Sequence, residues 1–331
     1  SQLIGLIPSA MGGTIKYDNS TLTFEGVEAS TTATSGIETN GNNANNTVVL
    51  KNSTLNVPNG FGIYFPSSGT LTIDSSTINA KTMGAQVCSG NLNVTAGSKI
   101  NVSGDPVEKL EGDGAIQDGA AISIVNRAGY KGLGQIAIAG GTFTAKAGNA
   151  ALKAYTWNSS TKQESAFDNS AKTVAVSAGT FSSAVASDLC AEGYAPVANA
   201  DGTYSVGVPV AQIGGNVFIS VQAAIDAAQT GETVKLLADA VVDDTVIVQD
   251  KGAITLDLNG KTISNTKEIW NEGADKWSLI SVRGNSDLTI TGNGAIDALA
   301  NDSYAIDLYD AASKCTIENG AFTGNISAVY V

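Results

Sequence analysis

The sequence contains no histidine. That removes the commonest metal ligand and the side chain best suited to proton transfer near neutral pH. Arginine is nearly as scarce, occurring only at Arg127 and Arg283. With a net charge of −13, the chain is a poor partner for nucleic acid, because phosphate contacts need Lys and Arg. The acidity is uneven. From residue 208 onward there are 16 Asp and Glu against 7 Lys and Arg; before it, 15 against 11. Cysteine occurs three times, at Cys88, Cys190 and Cys315. An odd count at wide, unrelated spacing is neither a disulfide framework nor a zinc site. Cys315 stands where the repeat described below places an apolar residue, so it reads as a small core residue, as does Cys88. Cys190 is ambiguous. No apolar run approaches the length of a membrane span, so membrane insertion is not expected.

What the sequence has is glycine, 37 in 331 residues, with abundant Ser, Thr and Asn, and 43% hydrophobic residues. Short β stretches punctuated by small turn residues point to an all-β solenoid or sandwich. A repeat decides between them. Segments of the form apolar-x-apolar, three or four small or polar residues, apolar recur at 22–27, 48–57, 71–80, 92–102, 136–145 and 174–183, then at 254–263, 288–298 and 315–323. The second apolar position falls at Phe24, Leu50, Ile73, Val94, Ile138 and Val176, then at Leu256, Ile290 and Ile317. Spacings of 26, 23 and 21 match one coil of a β-solenoid. The spacing of 44 reads as two coils of 22, and 38 and 34 read as coils with inserted loops. A second strand precedes each aligned one, for example at 62–65, 84–89, 121–125, 279–283 and 304–309.

One amphipathic helix interrupts the pattern, over 219–230. Ser220 is its N-cap, Val221, Ala224, Ile225 and Ala228 form its apolar face, and Gly231 ends it. A solenoid end exposes core and unpaired strand edges, so this helix reads as a lid on the first coil of a new solenoid. Just upstream, Asp201-Gly202 reads as a hairpin turn that closes the previous one. The expected division is therefore 1–207, the C-terminal part of a first module with its closing segment, and 208–331, the N-terminal part of a second. The repeat is already running where the sequence opens and is mid-strand at 327–331, so a segment of a longer protein is expected.

The run at 213–265 carries a short strand, then AIDAA, GETVKLL and LDLNGKTI. It resembles the opening of right-handed parallel β-helix modules in large surface proteins of gut and other Gram-positive bacteria. The run at 176–207, VSAGTFSS to LCAEGYAPVANADGTYSVG, resembles their closing segment. The resemblance implies a right-handed parallel β-helix in an exported, often wall-attached, extracellular protein. It implies no activity, since fold does not fix function. Pectate lyases and polygalacturonases share the fold, so polysaccharide lyase or hydrolase chemistry is the competing reading. Their chemistry needs a basic residue with calcium, or clustered Asp with His, and the chain has no His and no Arg cluster. Asp243-Asp244 lies in an expected turn and reads as solvated surface. No cofactor is expected beyond calcium, for which Asp302, Asp307 and Asp310 offer hard oxygen ligands; their spacing matches no EF-hand loop.

Strand alternation assigns candidate binding residues. It turns Ser281, Arg283, Asp307, Tyr309 and Tyr330 outward in the second module, and Tyr64, Ser123, Lys153 and Tyr155 outward in the first. Aromatic rings beside carboxylates and amides suit glycan recognition, although Tyr is also simply a good strand former. The sharper candidate is the insertion at 265–278, which carries Trp270 and Trp277 in a polar context. Long loops on rigid scaffolds are where binding resides, while indoles packed on the flank would be structural. The functional expectation is a non-catalytic adhesin-type segment whose loops bind a glycan or a host surface protein. A purely structural stalk capable of self-assembly is the third alternative.

Overall fold

The computed structural model describes residues 21–39, 45–109, 112–199, 201–299, 303–324 and 326–331. Among the described residues it is all-β, with mainly parallel strand ladders, a few antiparallel pairs and one short α-helix. Two compact units, Ser1–Gly207 and Val208–Val331, make up the chain. Among the described residues no helix is long and apolar enough to cross a membrane.

In the first unit the aligned repeat positions become direct neighbours. Phe24 pairs in register with Leu50, Leu50 with Ile73, Ile73 with Val94, Val94 with Ile138 and Ile138 with Val176. A parallel ladder of the five strands Thr21–Glu25, Thr47–Lys51, Thr70–Asp74, Gly90–Val94 and Leu133–Thr144 results. A second ladder runs Glu28–Ser30, Thr54–Val57, Thr77–Ala80, Lys99–Val102 and again Leu133–Thr144. The long strand joins both ladders because the chain turns the corner at Gly140 (φ +154°) and Gly141 (φ +112°) without leaving the sheet. A Cβ on Gly140 would lie 2.8 Å from the backbone of Ala96, so this corner requires glycine.

The register corrects one spacing. Val94 and Ile138 are adjacent, so their separation of 44 residues is one coil with a long insertion, not two coils. A separate six-stranded sheet contains Ser35–Glu38, Phe61–Phe65, Met83–Val87, Ile122–Arg127 and Leu152–Asn158 in parallel order, closed by the antiparallel Gln163–Ala166. Inward Leu, Ile and Val from all three ladders form one core, in which the rings of Phe143 and Phe181 stack 4.8 Å apart. Fully burying such a side chain contributes about 1.5–3 kcal/mol, while ordering each residue costs about 1–2 kcal/mol in the backbone alone. One repeat of some twenty residues cannot offset that by itself; repeats paired in register share each buried layer. The unit ends in the antiparallel hairpin Ala195–Ala198 and Tyr204–Gly207, as the Asp201-Gly202 turn signal required.

The second unit has three parallel ladders. They are Thr233–Leu236, Gly252–Asp257, Ser286–Thr291 and Lys314–Ile317; Ala240–Val241, Thr262–Ser264, Ala295–Asp297 and Ala321–Thr323; and Val246–Gln249, Ser278–Arg283, Tyr304–Leu308 and Val329–Tyr330. Leu256, Ile290 and Ile317 again stack in register. The helix spans Val221–Ala227, shorter than the 219–230 expected. Its Ser220 cap accepts the amide of Ala223 at 3.1 Å. It buries Val221, Ala224 and Ile225, and its Gln222 carboxamide bonds the N–H and C=O of Ile247 at 2.7 and 3.0 Å. A side-chain amide thus occupies the backbone edge of Val246–Gln249, which would otherwise offer a template for another strand.

Candidate functional site

The loop at 265–277 is held at both ends and in the middle. At its start, the buried Asn265 donates to the carbonyl of Lys267 at 2.7 Å and accepts the amide of Leu299 at 2.8 Å. Ile269 tucks into the unit's core. Asn271 and Lys276 then exchange backbone hydrogen bonds of 2.8 and 3.0 Å across a tight turn, with Asp275 left-handed at φ 54°. Two ion pairs reach out from the loop: Lys276 to Asp244 at 2.5 Å, and Lys267 to Asp243 at 3.6 Å. The Asp243-Asp244 turn is therefore exposed but engaged.

This anchoring sets both tryptophans into a continuous arc of rings. Trp277 stacks on Tyr309 at 5.6 Å and 17°, and Trp270 meets Trp277 at 6.5 Å and 58°. Trp270 also contacts Tyr304 at 5.8 Å, and Tyr304 lies parallel to Tyr330 at 4.8 Å and 6°. At the other end the Arg283 guanidinium sits 4.6 Å above the Tyr309 ring. The structure thus brings together Trp270, Trp277, Arg283, Tyr309 and Tyr330. Tyr304 is a member that strand alternation misses, because it shares parity with the inward Ile306 and Leu308. The accessible part of the arc lies at Tyr309, 40% exposed, and Tyr330, 50% exposed, with Trp270 and Trp277 partly covered. Arg283 is engaged within the unit: it donates through Nε to Ser281 Oγ at 2.8 Å and through Nη2 to the carbonyl of Asp275. The Asp275 carboxylate, hydrogen-bonded to Tyr309, raises that phenol's pKa.

Asp307 corrects an expectation. It does not face solvent but is 1% exposed, with Ser278 and Ser281 both donating to its carboxylate. Two hydroxyls three residues apart reach one group, so the alternation slips here. Burial raises the Asp307 pKa, against the lowering effect of the two serines and Arg283. The carboxylate is a structural acceptor beneath the loop.

The equivalent flank of the first unit is sealed. Tyr64 and Tyr155, expected outward and accessible, are 5% and 3% exposed, and Ser123 is fully buried. The strands there are buried on both faces because residues 112–119 fold back over them. Gln86 pairs with Ile116 exactly as a backbone would be paired, its carboxamide giving 2.7 Å to the carbonyl and accepting the amide at 2.9 Å. Arg127 donates to the carbonyls of Gly112 and Gly114 at 2.6 and 2.8 Å and lies 4.7 Å above Tyr130. Asp118 accepts from Ser123 Oγ at 2.7 Å and Tyr155 OH at 2.9 Å. Both arginines of the chain therefore play a similar part: each stacks on a tyrosine and bonds backbone carbonyls of an inserted loop, two for Arg127 and one for Arg283. Nearby Cys88 is a buried free thiol, pushed up to about 12 by desolvation.

Asp302 lies outside the described residues. Asp310 accepts the Gly284 amide at 2.6 Å. Among the described residues no three His, Cys, Asp or Glu gather closely enough to hold a metal ion. An open cleft of about 730 Å³ lies beside the helix, lined by Ser220, Asp226, Asp244, Thr245, Lys251 and Lys276 among others. Of its carboxylates, Asp244 is paired with Lys276, Asp243 with Lys267, and Asp226 accepts from Gln222. No family model, no curated protein and no solved structure matches this chain.

Proposed function

We propose that the chain is a non-catalytic segment of an extracellular bacterial surface protein, and that the ring arc of residues 270–330 binds glycan. In this reading each unit is a right-handed parallel β-helix module. Residues 1–207 are the C-terminal part of one module with its closing hairpin, and 208–331 the N-terminal part of the next. The parallel ladders in register and the resemblance of 176–207 and 213–265 to closing and opening segments support that assignment. The observation that carries the binding reading is the arc itself. Five aromatic rings gather on one flank with two partly open, whereas the corresponding rings of the first unit are covered by that unit's own inserted loop. Ring faces stack on sugar C–H surfaces, and a fixed aromatic platform loses little entropy on binding.

The charges define the ligand class. Glu272, Asp275 and Asp310 surround the arc, Arg283 is committed internally, and Lys267 and Lys276 are paired. Uncharged sugars match this better than uronates or sialates, which carboxylates repel. A glycan array of neutral and acidic oligosaccharides tests the reading. Neutral hits that disappear in Trp270→Ala and Trp277→Ala support it. Absence of any hit, or calcium-dependent turnover of polyuronates, overturns it, the latter in favour of a polysaccharide lyase.

One observation favours a second reading, a purely structural stalk. Trp277 and Tyr309 satisfy each other, and Arg283 also lies on Tyr309. If the arc exists to glue the loop down, the tryptophan variants lose stability and no ligand is found.

A further inference from the structure

We propose that Asp244, assisted by Asp243, is an electrostatic latch on the tryptophan loop, so that affinity at the ring arc depends on ionic strength even for a ligand without charge. The proposal rests on the glycan reading above for its ligand, but not for its conformational part. Lys276 is the residue between the Asp275 turn and Trp277, and its backbone is hydrogen-bonded in both directions to Asn271, the neighbour of Trp270. Whatever fixes Lys276 therefore fixes both indoles. What fixes its side chain is Asp244, at 2.5 Å, with the lysine side chain only 23% exposed. The second pair, Lys267 with Asp243, is longer at 3.6 Å and open to solvent on both sides, so it contributes less. On the opposite side, Arg283 bonds the carbonyl of Asp275. The loop is thus held at two separate anchors, and the aspartate anchor is the one made of direct ion pairs, which salt screens.

Ions at 1 M shorten the screening length to about 3 Å from about 30 Å at 0.01 M. A partly exposed pair of this kind changes an equilibrium by about 1.5- to 5-fold. An uncharged ligand has no electrostatic attraction of its own to lose, so salt dependence in its binding reports the loop.

The experiment uses the whole chain with a neutral oligosaccharide from the array. Between about 0.02 and 0.5 M NaCl its Kd rises about 1.5- to 5-fold in the wild type. In Asp244→Asn it is already weakened by that factor at low salt and stays flat. The charge swap Asp244→Lys with Lys276→Asp restores both low-salt affinity and salt dependence. Acrylamide quenching of tryptophan fluorescence follows the loop without any ligand: quenching increases with salt in the wild type and is high throughout in Asp244→Asn, while buried Trp157 gives a constant background. If no sugar binds at any salt but quenching behaves as described, the glycan reading fails and the latch stands. If Asp244→Asn matches the wild type in quenching and in salt response, the latch is overturned.

Discussion

Asp118 receives hydrogen bonds from Ser123, Tyr155 and the Ala120 amide, yet desolvation outweighs them and raises its pKa. Asp307 is in the same position beneath the other loop, again with its pKa raised. The sign follows from linkage. A carboxyl with a raised pKa binds its proton more tightly folded than unfolded, so its contribution to stability is fully present below the unfolded value, near 4, and is lost as pH rises through the folded one. The wild type should therefore gain stability relative to Asp118→Asn as pH falls from 7 toward 4, measured by urea denaturation at each pH. A constant difference between the two proteins would contradict it. At this scale the sequence was informative about identity but not about cover. Alternation turned Tyr64 and Tyr155 away from the main core, but it names a face and says nothing of a loop that returns over it; at Asp307 the alternation itself slips and the carboxylate is buried. Trp270 and Trp277 were legible because they stood in a polar insertion next to strand tyrosines. Tyr304 was not, because a slip in alternation cannot be read from residue parity.

The inserted loops are elements in their own right, each attached by a small number of specific groups. Gln86 is the clearest case. Gln86→Leu would leave the buried N–H of Ile116 without its acceptor, while the carbonyl keeps the Asp118 amide at 3.0 Å; the lost partner costs about 1–3 kcal/mol. Because that energy is local to the loop, the expected outcome is faster proteolytic cleavage within 105–119 with the rest of the unit intact; unchanged cleavage would remove the clip from the account. Gln222 plays the corresponding role at the edge of Val246–Gln249, and Gln222→Ala should promote association through that edge, seen by light scattering. Strands, the helix and the closing hairpin were readable because periodicity, capping and turn chemistry are local signals. Insertions were not fully readable: an inserted loop of about one coil's length has the same spacing as a coil, which is why Val94 and Ile138 looked two coils apart and are neighbours.

At the scale of the molecule, stability in each unit comes from apolar layers shared between successive repeats. Ile290 is fully buried between Leu256 and Ile317. Ile290→Ala should cost the second unit about 2–5 kcal/mol. Calorimetry should show its transition lowered and that of the first unit unmoved, since the buried cores are separate. The repeat made this organisation legible, because residues aligned by pattern alone proved to be direct strand partners. Function was less legible, since a scaffold of parallel ladders places no demand on the loops it carries. The central claim, that the ring arc is a glycan site, has an internal control in the chain's three tryptophans. In a ¹⁵N-labelled sample each indole N–H gives its own signal. Titration with a neutral oligosaccharide should shift the signals of Trp270 and Trp277 together and leave that of the buried Trp157 in place. A ligand that binds while both loop indoles stay unshifted would contradict the account.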